Sequence, residues 1–507
     1  MNTPTFNLQA YKEQMQAFPQ ITFEEYQQIT DEAVRKDIAK KNKIIQTDTY
    51  NRTMTYIKGE RANLLETFTL SLRRTPNGSY NVIDGIRGAL KRMLSTPITQ
   101  SELDFAKDFY ADQKAKGGNG YFNAEMWQNV VDRGGYLPLT IRAVADGTAL
   151  KAKEPAMVVT GPSELAAIFE PDFIRPFFKS KVATDAHALE EVMQGEDTNF
   201  ASKVCEQGKR AAINEEAHLD ATSALIVGAG LKLTSNDAAA LVYPQVLSAG
   251  TTAHRFYASY PSEDEAMDAA VEKMDKITLL TDFINTPSGT NKVIDRKERN
   301  PEKIIYPRLD SGDITQLTLD MLQRQKEAGM SDTTRDKICI SEGIGSIEKI
   351  KNLEDTVREA GFSTAFLSYG SGGLLVSKDK TRDSVSAAYK LTNTAENGPT
   401  GKLSDDIDKE PTPGVLNIEV RDGVRYLVQE DEEVQGERLL NKVYENGKLF
   451  YDDNDLAAID RAREQLLKTL PLVDFPTRES EITREIHENV RAKLLANIPT
   501  ETLEEVA

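Results

Sequence analysis

The sequence predicts an α/β protein in which parallel strands alternate with helices, and three observations support this fold class. Between residues 275 and 375, short apolar runs alternate with helical segments in units of about 30 residues. The stretch 136–161 differs, because glycine and proline separate its short runs, which is typical of a smaller sheet. The length of 507 residues predicts more than one domain.

The repeating segment supplies the strands of the larger domain. The expected strands are Ala224–Gly230, Leu247–Gly250, 276–283, 303–309, 337–341 and 362–368. A period of about 30 residues is that of a barrel of parallel strands ringed by helices, and also that of an open doubly wound sheet. The pattern favours the barrel and leaves the open sheet as the alternative.

The flanking segments predict helices and antiparallel strands. Thr22 and Glu25 form a capping-box pattern, so a helix is expected over 22–45. The stretch 415–429 is expected to form a hairpin, because Asp422-Gly423 stands between two strand-like runs and suits a tight turn.

Composition excludes several classes of protein. The chain carries 62 Lys and Arg against 80 Asp and Glu, a net charge of −18, which argues against a general binder of nucleic acid or of anionic membranes. Two cysteines provide no disulfide framework and fit a reducing compartment. No apolar run approaches the ~20 residues of a membrane span. Since the N-terminus lacks the pattern of a signal peptide, a soluble cytoplasmic protein is expected.

The run Tyr369-Gly370-Ser371-Gly372-Gly373 follows a strand-like segment and is the first candidate site. Glycines let the backbone approach an anion and leave N–H groups free to bind a phosphate. Because short glycine-rich loops are common, a tight turn explains the run equally well.

The second candidate is the run Arg308-Leu309-Asp310-Ser311-Gly312-Asp313 at another strand end. Its two carboxylates suit Mg²⁺, which prefers oxygen ligands, and Arg308 can clamp a phosphate or carboxylate. The alternative is a local ion pair with Asp313 capping the next helix, which the run alone favours slightly.

His254 is the third candidate, because it follows a loop of small residues that would leave its imidazole accessible. A neutral imidazole can act as a nucleophile or base. The alternative is a structural histidine, which is the more common case. Of the other histidines, His187 and His218 are expected at the surface or in packing, and His487 in solvent.

Together these runs resemble those of the nicotinate phosphoribosyltransferase family, to which the nicotinamide enzymes are related. The resemblance covers about residues 40 to 470. It rests on TDTYNRTMTYI (47–57), YLPLTIRAVADGTALKAKEPAMVVTGP (136–162), EQGKRAA (206–212), LTSND (233–237), SAGTTAH (248–254), PRLDSGD (307–313), YGSGGLL (369–375) and GERLLNKVYENGKL (436–449).

The resemblance implies an irregular α/β barrel together with an α/β sandwich-like domain built from N-terminal and C-terminal segments. The expected boundaries are 1–185 for the N-terminal α/β domain, 186–379 for the barrel, and 380–507 for a hairpin and helices that complete the N-terminal domain. It also implies a homodimer with shared active sites. The implied reaction joins nicotinate to phosphoribosyl pyrophosphate, giving nicotinate mononucleotide and pyrophosphate, with Mg²⁺ and with ATP hydrolysis coupled through a phosphohistidine.

The resemblance also implies a role for individual residues. His254 matches the phosphorylated histidine, and Asp310 matches the acidic residue at the ribosyl and Mg²⁺ site, with Asp313 nearby as a second metal ligand. Arg308 matches the residue that faces the nicotinate and ribosyl groups, and Thr251 lies on the same wall.

Other matching positions concern the base and the phosphate. Arg210 matches an arginine near both groups, and Tyr50 matches a tyrosine that stacks on the pyridine ring in the partner subunit's site. The glycines expected to hold the ribosyl phosphate are Gly370, Gly372 and Gly373.

The choice between acid and amide substrate depends on Ser235. The nicotinamide enzymes carry an aspartate at the matching position, which accepts hydrogen bonds from the amide and would repel a carboxylate. A neutral serine therefore favours nicotinate, whereas YGSGGLL followed by KDKTRD looks more like the nicotinamide branch.

Three positions depart from the family pattern. Gln207 stands where a phenylalanine usually sandwiches the pyridine ring, and Gly373 stands where the nicotinate enzymes often have threonine. The run Ser341-Glu342-Gly343 replaces a Ser-Asn-Asp run, so Ser341 keeps a substrate contact while Glu342 can repel phosphate. These departures motivate a rival hypothesis, a non-catalytic relative that binds nucleotides.

Overall fold

The computed structural model describes residues 17–75, 78–195, 198–403, 410–450 and 456–497, together with Asn7, Tyr11 and Met15. The chain divides into two compact units. Unit 1 comprises Met1–Phe178, Thr381–Asp455 and Leu467–Ala507, and unit 2 comprises Lys179–Lys380 and Leu456–Leu466.

The strands of the described residues are numbered in chain order. They are β1 Leu65–Leu72, β2 Asn81–Val82, β3 Thr140–Ala143, β4 Ala149–Leu150, β5 Pro155–Pro162, β6 Val204–Glu206, β7 Leu233–Thr234, β8 Leu247–Ser248, β9 Lys276–Leu280, β10 Ile304–Leu309, β11 Ile338–Ile340, β12 Leu367–Ser371, β13 Ala387–Thr394, β14 Gly398–Pro399, β15 Leu416–Arg421, β16 Val424–Gln429, β17 Glu437–Arg438, β18 Asn441–Glu445, β19 Lys448–Leu449 and β20 Arg478–Glu479.

The α-helices are given by their bounds. They are Phe23–Gln28, Glu32–Lys41, Thr49–Lys58, Ile86–Leu94, Gln100–Ala115, Ala124–Asp132, Ser163–Ala167, Glu170–Ile174, Phe178–Met193, Phe200–Lys203, Glu215–Ala229, Asp237–Val242, His254–Tyr257, Glu263–Lys273, Thr286–Arg299, Ile314–Glu327, Ile347–Glu359, Gly373–Val376, Ala457–Thr469 and Glu481–Leu495. Among the described helices, none is long and apolar enough to cross a membrane.

Unit 1 is built on a seven-stranded antiparallel sheet in the order β14-β13-β1-β5-β3-β18-β19. Strands from the C-terminal part of the chain therefore flank the three N-terminal strands on both sides of one sheet. Along β1, Leu70 and Leu72 join the apolar core with Trp127, whereas Thr69 and Ser71 lie on the opposite face. This alternation is expected of a sheet with one face packed on the core.

Two local predictions for unit 1 can be compared with the structure. The hairpin of β15 and β16 is confirmed, and Asp422 and Gly423 both have positive φ, as a tight two-residue turn requires. The capping box of Thr22 and Glu25 is also confirmed. The single helix over 22–45 is wrong, because the chain is extended at the first helix end and Asp31 caps a second helix.

Unit 2 contains a seven-stranded parallel sheet in the order β8-β7-β6-β12-β11-β10-β9. Thr252 follows β8 at one end of this order, and its N–H donates to Thr278 O of β9 at 3.0 Å. The Leu280 N–H of β9 donates in turn to Thr252 Oγ1 at 3.0 Å. These bonds bring the two edges of the curled sheet together, which distinguishes an irregular α/β barrel from an open doubly wound sheet.

One expected strand of unit 2 is wrong. Ala224–Gly230 forms the end of the helix Glu215–Ala229, and Gly230 terminates it in the left-handed conformation. The residues from Ala221 to Ala229 are all buried, so the sequence shows no polar face. The sequence of a helix buried on all sides resembles that of a buried strand, because neither shows a periodic alternation of apolar and polar residues.

Candidate functional site

Arg308 is the centre of the best-defined polar cluster in unit 2. It lies near the end of β10, and its Nη1 donates to Thr251 Oγ1 at 2.8 Å and to Thr252 O at 3.0 Å. Its Nη2 donates to Asp310 Oδ1 at 2.6 Å. Arg308 Nε is buried without a hydrogen-bond partner. The guanidinium is thus fixed on three sides and keeps one donor unused.

His254 begins the short helix after the Thr251–Thr252 loop, and its side chain is 52% exposed. Its Nε2 lies 3.2 Å from Oδ1 of Asp282, a carboxylate that is only 8% exposed. Asp282 Oδ2 accepts a hydrogen bond from Ser311 Oγ at 2.5 Å, whereas Oδ1 has no aligned hydrogen bond. The imidazole is therefore open to solvent on one side and faces a carboxylate on the other.

Asp282 is a candidate residue that the sequence analysis missed. It stands two residues after β9, and Asp310 stands directly after β10, the neighbouring parallel strand. The shared signal is an acidic residue at the end of successive apolar runs. Because parallel strands end at the same edge, that repetition predicts two carboxylates in one place.

Three groups come close enough to share a cation. His254, Asp282 and Asp310 each offer a ligand atom, and these atoms lie within 4.8 Å of one another. The two carboxylates suit Mg²⁺, and the unpartnered Asp282 Oδ1 is the acceptor that such an ion would satisfy. The imidazole is a less usual ligand for that ion. The residues present therefore fit a divalent cation held mainly by carboxylates.

Asp313 is not a member of this group among the described residues. Its Oδ1 accepts the Gln316 N–H at 3.1 Å and so caps the helix Ile314–Glu327. Both parts of the structural alternative for this run are thus present: Arg308 pairs with Asp310, and Asp313 caps the next helix. The metal role of Asp313 stays a prediction.

The glycine-rich run lies at the end of β12 and the start of the short helix Gly373–Val376. A Cβ at Gly370 would lie 2.7 Å from Gln207 Nε2, and one at Gly372 would lie 3.4 Å from Gln207 O. Gln207 therefore packs directly on these glycines. Ser371 Oγ is buried without a partner, which leaves a hydroxyl at this strand end for a further polar group.

A buried network holds the ends of β6 and β7. Glu206 Oε1 lies 3.0 Å from His218 Nε2, and Glu206 Oε2 accepts from Thr234 Oγ1 at 2.7 Å. Asn236 Nδ2 donates to His218 Nδ1 at 2.9 Å, so the histidine proton is on Nε2 and points at Glu206. All four side chains are buried, and His218 has the packing role rather than the surface one.

The remaining barrel candidates lie at ends of the same parallel strands. Arg210 is exposed in the short turn Lys209–Ala211 that follows β6. Ser235 is exposed directly after β7, and Ser341 is half-buried directly after β11. Their backbone N–H groups donate to Glu206 O and Leu309 O respectively, which ties each loop to the neighbouring strand. Strand direction thus puts these residues at one edge of the sheet.

Tyr50 belongs to unit 1, unlike the other candidates. It lies in the first turn of the helix Thr49–Lys58, and 50% of it is exposed. Its hydroxyl donates to the Glu170 carboxylate. Partial burial and this neighbouring carboxylate raise the pKa of Tyr50. An exposed ring of this kind is available for stacking.

The relatives found by sequence comparison are named nicotinate phosphoribosyltransferases. A search of protein-family models finds no match. Nicotinate phosphoribosyltransferase 2 of Arabidopsis thaliana is 26% identical over 242 residues, which cover 47% of this chain and 40% of that protein. Nicotinate phosphoribosyltransferase of Caenorhabditis elegans is 26% identical over 223 residues, or 43% and 37% of the two chains. The matched stretch thus spans less than half of each of these two relatives.

Solved structures resemble this chain over more of its length than the sequence matches do. Human nicotinic acid phosphoribosyltransferase superposes with a TM-score of 0.63 at 18% identity, covering 88% of this chain and 99% of that one. The chain is similar to the nicotinate phosphoribosyltransferases. A nicotinate-nucleotide pyrophosphorylase from Pyrococcus furiosus has a TM-score of 0.60 at 17% identity, covering 89% and 99%. These likenesses confirm the expected fold class.

Proposed function

We propose that this protein is a nicotinate phosphoribosyltransferase of NAD salvage, coupled to ATP hydrolysis through a phosphohistidine at His254. The observation that carries the proposal is the cluster in unit 2, where Arg308 is bonded to Thr251 and Asp310 while His254 faces Asp282. The resemblance to the transferases supplies the substrates, nicotinate and phosphoribosyl pyrophosphate.

In this reaction the pyridine nitrogen forms a bond to the anomeric carbon of the ribosyl group as the bond to pyrophosphate breaks. Positive charge develops on the sugar ring, and negative charge develops on the leaving group. Asp310 is positioned by Arg308, so its carboxylate is held in place to receive ribosyl hydroxyls or the developing cation. The unused Nε donor of Arg308 is available to an anionic oxygen.

His254 has the surroundings that a transient phosphoryl acceptor needs. Its exposed side can admit a nucleotide, and Asp282 lies beside one ring nitrogen. We expect that carboxylate to hold a proton on the facing nitrogen once the ring aligns with it, so that the other nitrogen keeps its lone pair. Attack of that lone pair on the terminal phosphorus of ATP forms a P–N bond as the P–O bond to ADP breaks.

Asp310 and Asp282 would hold Mg²⁺, which would neutralise negative charge on the pyrophosphate or nucleotide. The two carboxylates lie at adjacent strand ends, and Arg308 pairs only with Asp310, so a bound cation would balance the charge of Asp282. We therefore include Mg²⁺ in the proposal. ATP is included because the proposed phosphohistidine requires a phosphoryl donor.

Nicotinate is proposed as the base because Ser235 is neutral and Arg210 makes no side-chain ion pair with any described residue. A free guanidinium can bind the nicotinate carboxylate in bidentate fashion. Tyr50 would stack on the pyridine ring from a second subunit, in a homodimer in the cytoplasm. Nicotinamide is the alternative substrate.

A second candidate function is a non-catalytic nucleotide-binding relative. Gln207 packs on Gly370, at the place proposed for the ribosyl phosphate, and Glu342 is exposed in the loop after β11. Both features weaken a phosphate site. The binding function predicts affinity for nucleotides without turnover.

Two measurements test the proposal. Turnover of phosphoribosyl pyrophosphate with nicotinate and with nicotinamide should be faster per molar base with nicotinate; faster amide turnover would reject the choice of base. Incubation with γ-labelled ATP and Mg²⁺ should give an acid-labile label that is absent from His254→Ala. His487→Ala is the matched control, because it removes a partly exposed histidine from unit 1. No label on the wild-type chain would favour the binding relative.

A further inference from the structure

A basic depression lies in unit 1, on the face of the antiparallel sheet opposite the core. Ser71 lies in β1 and Arg73 directly follows its last residue, and both line the depression on this face. Lys390 of β13 pairs with Thr69 of β1 and reaches the same face. The sheet therefore brings a guanidinium and an ammonium together beside a hydroxyl.

A tight turn adds a second ammonium. Lys153 precedes β5 with a φ of 71°, a conformation that non-glycine residues adopt rarely. Its N–H donates to Leu72 O at 2.9 Å, which fixes the turn to the end of β1. Lys153 lines the depression, as do Thr412 and Glu410.

Among the described residues that line the depression, Arg73, Lys153 and Lys390 are cationic and Glu410 is acidic. Among the residues that the structure describes, Arg73 and Lys390 have no side-chain hydrogen bond or ion pair. All three cations are half-buried, so they cannot reach solvent as freely as ordinary surface lysines do.

The unused groups are all hydrogen-bond donors. Arg73 Nε is buried without a partner, and the hydroxyls of Ser71 and Thr412 have none among the described residues. Leaving a buried donor unsatisfied destabilises a protein, so an acceptor from outside the chain would be favourable. The guanidinium of Arg73 with the ammonium of Lys390 beside it suits an oxyanion, which the guanidinium can contact in bidentate fashion.

We propose that this depression binds the phosphate group of a small molecule. The depression is open to solvent, so a bound phosphate would keep part of its surface in water. The site does not depend on the proposed transferase activity, because it uses none of the candidate residues of unit 2. Bound anion would stabilise the folded chain, since binding selects the native state.

Calorimetric titration with inorganic phosphate tests the proposal directly. We expect the double variant Arg73→Gln with Lys390→Gln to lose about tenfold or more in affinity, because two charge-assisted donors are removed. Arg74→Gln is the matched control, as it removes an exposed arginine next to Arg73. Equal phosphate affinity in the wild type and the double variant would overturn the proposal, as would no binding at about 10 mM phosphate.

Further measurements test whether the bound phosphate lies at this depression. Lys390→Gln alone gives a milder change if the double variant fails to fold, and selenate soaked into crystals should give an anomalous peak between Arg73 and Lys390. Absence of that peak would count against the site. Because the transferase proposal predicts phosphate contacts in unit 2, the titration is repeated with Arg308→Gln. Binding that persists there and still requires Lys390 belongs to unit 1, whether or not the transferase proposal holds.

Pyrophosphate and AMP identify the source of the phosphate. If the depression takes a free anion, inorganic phosphate and pyrophosphate should bind and AMP should not. If it takes the phosphate of a nucleotide, AMP should bind at least as tightly as phosphate. Competition among the three, measured on the wild type and the double variant, assigns either result to Arg73 and Lys390.

Discussion

Glu164 should make the stability of unit 1 fall as pH rises. Its side chain is fully buried in the helix that follows β5, and neither carboxylate oxygen has a hydrogen bond of good geometry. Arg52 lies near enough to attract it, but that guanidinium bonds to the loop at Asn119 and Tyr121. Burial raises the pKa of Glu164 to about 7.

The direction of this pH dependence follows from comparing the protonation of Glu164 in the folded and unfolded chains. Unfolded, Glu164 has an ordinary pKa of 4.5, so between 4.5 and about 7 the folded chain holds a proton that the unfolded chain releases. Its contribution to stability is complete below pH 4.5 and falls as pH rises to about 7. At about 1.4 kcal/mol per pH unit, the loss is about 3 kcal/mol.

Glu164→Gln tests this, because glutamine resembles the protonated carboxyl and stays neutral. The variant and the wild type should unfold with similar free energies at pH 5, whereas at pH 8 the variant should be more stable by about 3 kcal/mol. Urea denaturation across this range gives both curves. Glu125→Gln, at an exposed site, should follow the wild type. Parallel curves for wild type and Glu164→Gln would refute the reasoning.

Three further predictions concern other sites. Asp282→Asn should reduce phosphoryl labelling of His254 by about tenfold or more, because the carboxylate that holds the imidazole proton is lost; an unchanged labelling rate would contradict this. Ser235→Asp should shift the ratio of nicotinamide to nicotinate turnover by about tenfold towards the amide, which steady-state assays would show. Glu154→Ala should destabilise the chain by about 3 kcal/mol in urea denaturation, since it leaves the buried Arg425 guanidinium, 3.1 Å away, without its carboxylate.

The fold could be predicted from the sequence where loops interrupt apolar runs. The strands β9 to β12 each end in polar or glycine-rich residues, so their ends are visible in the sequence. The second half of the helix Glu215–Ala229 could not be distinguished from a strand, because burial on every side removes its polar face there. The three-residue strand β6 carries too little pattern to recognise, although it lies inside the sheet between β7 and β12.

The candidate site was predictable in part for the same reason. Arg308 lies near the end of a recognisable strand, and Asp310 and His254 follow a strand and a loop, so the sequence identifies all three without showing their contacts. The buried pair of Glu206 and His218 could not be predicted, because Glu206 lies in a strand of three residues and its partner lies in the following helix. A hydrogen bond between such elements depends on strand order, which the sequence does not display.

Strand order also explains why the acidic residue nearest to Asp310 in the sequence is not the one that shares its cluster among the described residues. Asp313 is three residues away, but the loop turns there to start a helix, and the carboxylate is used as its cap. Asp282 is 28 residues away, yet it follows the adjacent parallel strand and lies in the same cluster. In a parallel sheet, residues one strand–helix unit apart meet at the same edge. Candidate ligands are therefore better sought at successive strand ends than within one loop.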